Sequence, residues 1–200
     1  MEFLNGRKNG DQGAIGFALA LRGLFLLIAV GLFVPAGVVP ARAQGLVADE
    51  DGLRAAFLLN FARFVQWPDQ AEQGLPFCIG VLADRRLADA AQQSLSHKSL
   101  RGRPLEVKYF ASPRELQACP IVFIGSTNDE DSRAALEALA GAPVLTVGEG
   151  RRFLDLGGVI ALVQSGRRIQ FEINAAAGKR QNLCIGSDLL RLARTIHDRD

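Results

Sequence analysis

The chain has 200 residues, 48% of them hydrophobic, and a formal net charge of +2. That is enough apolar material for one domain with a real core, and too little chain for two comfortable ones. No internal repeat or low-complexity tract interrupts it.

The first elements in chain order belong to a leader. Arg7, Lys8 and Arg22 form a basic lead, and residues 24–34 (LFLLIAVGLFV) are an apolar run broken only by Gly31. Pro35, Gly37 and Pro40 then break any helix, and Ala41-Arg42-Ala43 reads as an A-x-A cleavage site. This order matches a secretory signal peptide, and the run is short for a membrane anchor. The expectation is export, cleavage after Ala43, and one soluble periplasmic domain over residues 44–200. Without residues 1–43 the acidic and basic side chains balance and no dense Lys/Arg run survives, which excludes an ordinary nucleic-acid binder.

Residues 44–50 read as a lead-in. A helix is expected over about residues 51–67, stopped by Pro68. On a helical wheel Asn60, Arg63 and Gln66 share one narrow stripe, while Leu53, Phe57, Leu58, Phe61, Ala62, Phe64 and Val65 cover the rest. That is more than one apolar face, so the helix is expected to pack centrally or to serve an interface as well. Strands and helices then alternate: strand 77–83, helix 85–94, strand 105–110, a helical turn at 113–117, strand 121–125, helix 129–140 behind a Thr127/Glu130 capping box, and strand 144–147. This order argues for an α/β domain with a mostly parallel sheet and helices on both faces, Rossmann-like and three-layered. Gly157-Gly158 marks a turn. Residues 159–163 and 168–173, joined by Gln164-Ser165-Gly166-Arg167, give a hairpin signal and hence an antiparallel strand towards the C-terminus. Leu189, Leu192, Ala193 and Ile196 keep helical spacing, so a last helix is expected over about 187–197 with Ser187 as N-cap.

Export gives the cysteines a meaning, because the periplasm is oxidising. Cys78, Cys119 and Cys184 allow one pair and one leftover. Cys78 lies in a buried-strand pattern and Cys119 directly precedes another, so neighbouring parallel strands would bring the two together. That link would close a loop of about 41 residues and contribute about 4 kcal/mol in the chain-entropy model. Cys184, between Leu183 and Ile185, reads as a small buried hydrophobe.

The catalytic signals fail. His97 and His197 have no partner at metal-ligand spacing, so no metal or other cofactor is expected, and no G-x-S-x-G elbow is present. Gly148-Glu149-Gly150 follows a strand but lacks the third glycine of a phosphate cradle. Two places carry a functional alternative. Ser126 and Thr127 lie past a parallel strand, where open α/β sheets place ligands; the competing role is the helix cap. In Arg168-Ile-Gln-Phe-Glu-Ile-Asn174, Glu172 and Asn174 flank a buried Ile173. They read either as a solvated face with an Asn cap, or as an exposed polar edge that recognises a partner.

Taken in order, Ala56-Phe-Leu-Leu-Asn-Phe-Ala-Arg-Phe-Val-Gln-Trp-Pro68, Phe77-Cys-Ile-Gly-Val81, Cys119-Pro-Ile-Val-Phe-Ile-Gly125, Val144-Leu-Thr-Val147, Gly157-Gly-Val-Ile160, Ile169-Gln-Phe-Glu-Ile-Asn174 and Leu183-Cys-Ile-Gly-Ser-Asp-Leu-Leu-Arg-Leu-Ala193 resemble the YfiR family of periplasmic proteins over about residues 50–195. The resemblance implies a non-enzymatic α/β domain, often a homodimer, that restrains an inner-membrane diguanylate cyclase from the periplasmic side, lowers cyclic-di-GMP output and thereby affects biofilm behaviour. It also implies sequestration by an outer-membrane lipoprotein with an OmpA-like domain. The family's main disulfide maps onto Cys78 and Cys119; a second one found in some members has no counterpart here. The partner-binding expectation falls on Arg168, Glu172, Asn174 and Lys179. The alternative is a small-ligand sensor for a histidine kinase or cyclase, working through Ser126 and Thr127.

Overall fold

The computed structural model describes residues 42–68, 76–116, 119–125, 128–166 and 168–198. The expected leader therefore lies outside the described residues, except its last two positions, which open the first helix. That helix, α1 (Arg42–Phe64), ends three residues earlier than expected. Val65–Gln66 turns extended instead, as β1, and pairs antiparallel with β9 (Cys184–Ile185). The reason is local. Gly186 donates its N–H to the Phe64 carbonyl at 2.8 Å, and a Cβ on Gly186 would sit 2.8 Å from that same oxygen. Only glycine lets the two backbones meet so closely. Asn60, Arg63 and Gln66 are exposed as the wheel predicts, and Leu58, Phe61, Ala62 and Val65 are buried.

The main sheet has eight strands in the order β10-β8-β7-β6-β5-β2-β4-β3. In chain order these are β2 (Phe77–Leu82), β3 (Ser99–Leu100), β4 (Arg103–Phe110), β5 (Ile121–Ile124), β6 (Leu145–Glu149), β7 (Ile160–Ser165), β8 (Arg168–Asn174) and β10 (Thr195–His197). The pairings β4–β2–β5–β6–β7 and β8–β10 are parallel; β7–β8 and β3–β4 are antiparallel. The expected C-terminal hairpin is thus present, with Ile160 opposite Ile173 and Ser165 opposite Arg168.

Strand alternation sorts the core into two layers. Phe77, Ile79, Val81, Ile121, Phe123, Leu145, Val147, Ile160, Phe171 and Ile173 face one side, where α1 and α2 (Arg85–Leu95) pack. Cys78, Leu82, Val122, Ile124, Ala161 and Val163 face the other, under α3 (Asp129–Ala138) and α4 (Arg151–Asp155). Helices therefore cover both faces, as the alternating sequence pattern predicts. The Cys78–Cys119 disulfide forms on the second face, with Cα atoms 4.9 Å apart. Gly80 lies beside it on the same face; a Cβ there would reach 3.1 Å from the Phe110 ring and 3.2 Å from Val122. On the first face, buried Trp67 donates its indole N–H to the Pro120 carbonyl at 2.9 Å and meets Phe77 edge-on.

Four expectations need correction. The last helix, α6, spans only Ser187–Leu192, and Thr195–His197 is a strand pairing with β8. Its N-cap is Gly186, with no side-chain cap from Ser187. The α3 cap is Asn128, whose side chain accepts from the Glu130 N–H at 2.8 Å; Thr127 lies outside the described residues. Cys184 is exposed rather than buried. It sits opposite Gln66 in the two-residue ribbon, and paired residues share a side, so both point outward while Val65 turns to the core.

Candidate functional site

Glu172 is the one fully buried carboxylate among the described residues, at 0% exposure. Its neighbours Phe171 and Ile173 point to the α1 side, so alternation sends Glu172 to the opposite face. There α4 delivers Arg151, whose Nη2 donates to Oε1 at 2.9 Å and Nε to Oε2 at 3.1 Å. This is a two-point guanidinium–carboxylate pair, the strong geometry for such contacts. Strand β10 runs parallel to β8 with Thr195 opposite Glu172, and it brings two more groups. His197 Nε2 lies 3.0 Å from Oε2 and Arg194 Nε 3.9 Å from Oε1. The Arg194 N–H also donates to the Phe171 carbonyl at 2.8 Å, which starts the β8–β10 ladder.

Glycines position α4. Gly150, at φ +73°, turns the chain out of β6. Phe153 then drops its ring onto Gly148 and Gly158, where added Cβ atoms would come within 2.5 and 2.1 Å of it. The Gly148-Glu149-Gly150 turn is therefore a seat for Phe153, and through α4 it aims Arg151 at β8.

Arg151 holds the Glu172 carboxyl below the usual carboxylate range by hydrogen bonding, against the burial that alone would push it up, and His197 adds to the lowering. A carboxylate kept ionised this way is a poor proton acceptor. It does serve as an anchor for cations: the Arg151 and Arg194 side chains remain 58% and 44% exposed around it. The sheet edge therefore presents two half-exposed guanidiniums on a fixed, buried counter-charge. Leu192 and Ile196, 67% and 47% exposed, lie on the same C-terminal segment.

The expected partner-binding residues divide. Arg168 and Lys179 are exposed, and Lys179 Nζ lies 3.4 Å from Asp198 on the surface. Glu172 and Asn174 are buried, which corrects the exposed-edge reading for both. Asn174 takes the competing role foreseen for it: its side chain accepts from the Ala177 N–H at 2.9 Å and caps α5 (Ala175–Arg180). Arg151, Arg194 and His197 were missed. The helix carrying Arg151 has five residues, too short to show a period, and residues 194–197 hide inside an apparently helical spacing. Ser126 and Thr127 lie outside the described residues. Just before them, the strand end is filled: Gly125 donates to the Leu82 carbonyl at 2.9 Å, and a Cβ on it would sit 2.6 Å from Asp84. Among the described residues no group of three or more His, Cys, Asp or Glu could hold a metal ion, and no helix is long and apolar enough to cross a membrane.

Two solved structures share the fold at low identity. A conserved domain protein from Vibrio cholerae O1 biovar eltor is 12% identical, with a TM-score of 0.51 over 73% of this chain and 60% of its own. An ABC domain in complex with L-Trp from Streptococcus pneumonia is 10% identical, with a TM-score of 0.50 over 71% of this chain and 61% of its own. The chain thus spans about three fifths of each of those proteins, and the likeness concerns the fold alone. The family comparison reaches further. The YfiR/HmsC-like profile, which describes regulatory rather than catalytic proteins, matches residues 51–194, from the buried face of α1 through the Cys78–Cys119 pair and Glu172 to Arg194. The chain belongs to the YfiR/HmsC-like family.

Proposed function

We propose that this chain is a periplasmic regulator that binds the periplasmic sensor domain of an inner-membrane diguanylate cyclase, or a similar receptor such as a sensor kinase, and restrains it. Family membership over residues 51–194 carries this reading. The Cys78–Cys119 disulfide supports an oxidising compartment. The mechanism is population shift. A regulator that prefers the inactive conformation of the receptor lowers cyclic-di-GMP output by its differential affinity for the two states. Arg168 and Lys179, with the half-exposed Arg151 and Arg194, are among the exposed cations and are the ones we assign to recognition of the receptor, and a homodimer would present them twice. An OmpA-like outer-membrane lipoprotein that captured the same surface would relieve the restraint.

Deleting the gene tests this. Cellular cyclic-di-GMP is expected to rise, and to fall again on expression of the full chain but not of the chain lacking residues 1–43. Unchanged cyclic-di-GMP in the deletion strain, or full complementation without the leader, overturns it.

A further inference from the structure

A cavity of about 740 Å³ opens between α1, α3, α4 and the end of β7, and none of Glu172, Arg151, Arg194 and His197 lines it. It lies where β6 ends at Glu149, outside the carboxyl end of a parallel strand, the usual place for ligands in open α/β sheets. The size is that of a small-molecule pocket. Phe153, Leu156, Leu162 and Val163 give it an apolar floor.

The rim carries the unusual feature. Arg54 uses three nitrogens on three different carboxylates: Nη2 on Glu50 at 3.0 Å, Nη1 on Asp51 at 2.9 Å and Nε on Glu149 at 3.0 Å. Asp51 is buried and has a second cation, Arg86, at 3.7 Å. Among the described residues Glu50 and Glu149 have only their shares of Arg54 as counter-charge, and both face the cavity, about half exposed. On the far wall Arg152 and Asp129 neutralise each other at 2.9 Å. The mouth of this cavity, whose lining mixes polar and apolar side chains, therefore carries one net negative charge shared between Glu50 and Glu149.

We infer that this cavity binds a small amphipathic organic cation, with its ammonium or guanidinium group at Glu149 and Glu50 and its apolar body on the Phe153–Val163 floor. The regulator then has a small-molecule input besides its protein partner, and this site does not depend on which receptor the chain restrains. The floor residue Phe153 belongs to the same helix as Arg151, so an occupant touches the element that holds the sheet edge.

Phenylbutylammonium is the probe, with phenylbutanol as its neutral analogue and phenylbutyrate as its anionic one, titrated calorimetrically into the full mature domain. The cation is expected to bind saturably, to shift backbone amides of residues 149–164 in a heteronuclear NMR spectrum, and to lose about tenfold in affinity in Glu149→Gln. Glu149→Lys, checked for fold by its circular dichroism, is expected to reverse the preference towards phenylbutyrate, which a merely loosened structure would not do. No saturable binding, equal affinity for phenylbutanol, or shifts confined to other residues overturns the inference.

Discussion

The middle of the sheet and its β10 edge turn the same strand alternation to the same side and cover it by different means. In the middle, Cys78, Val122 and Ile124 meet the apolar side of α3, and a covalent bond joins β2 to the segment entering β5. At the edge, Glu172 meets Arg151, Arg194 and His197, and the flanking strand β10 has three residues. Apolar burial is non-directional and insensitive to pH. A buried carboxylate is stable only while its counter-charges stay in place. The contrast gives the domain a fixed centre and a conditional edge, and the half-exposed Arg151 and Arg194 lie at the conditional end.

The largest way to break that contrast is at the centre. The Cys78–Cys119 link spans 41 residues of sequence. Replacing both cysteines by alanine is expected to remove about 4 kcal/mol in the chain-entropy model, a large part of the about 5–15 kcal/mol that holds a domain of this kind. Urea unfolding of the variant against the parent measures it. A loss below about 1 kcal/mol would mean that the apolar layers alone fix the middle, and the centre would not differ from the edge in this way.

A smaller effect is expected at the edge, and it should depend on pH. Glu172→Gln keeps the shape but removes the charge that two arginines address, and is expected to cost about 1.5–3 kcal/mol at neutral pH. The sign follows from the lowered carboxyl. Its contribution is complete above the unfolded-state value of about 4.3 and is lost as pH falls through the lower folded-state value. Unfolding curves of parent and variant should therefore converge in acid. A gap that stays constant from neutral pH down to acid would show that the side chain acts by packing, and would make the edge resemble the centre after all.

The two regions also differ in how far the sequence discloses them. The buried runs around Ile79, Ile121 and Leu145 are continuous and bounded by turns, so their strand character and parallel order follow from pattern alone. The hairpin that joins β7 to β8 is equally plain. At the edge, pattern misleads. Leu189, Leu192, Ala193 and Ile196 satisfy a helical period, yet only Leu189 of these is buried, and residues 195–197 pair with β8 because Arg194 finds the Phe171 carbonyl. Alternation correctly puts Glu172 opposite Ile173 but says nothing about whether that side is covered. The cover, Arg151, is 21 residues away in sequence, on a helix seated by Phe153 against two glycines. Those are tertiary facts with no local signature.

The mildest perturbation separates what holds the edge from what the edge is for. Arg168 and Lys179 are exposed, and the Lys179–Asp198 contact lies on the surface, where such pairs are worth about 0–1 kcal/mol. Arg168→Ala and Lys179→Ala together are expected to move the urea midpoint little, about 0.5 kcal/mol or less in stability. If these cations recognise the receptor, the same double variant raises cellular cyclic-di-GMP towards the level of the deletion strain. It would do so with the protein present in normal amount, as an immunoblot would show. Full restraint by a normally abundant variant would take recognition away from these two residues. It would leave Arg151 and Arg194, whose presentation depends on Glu172, as the cations to test, and in that case binding and edge stability would be inseparable by mutation.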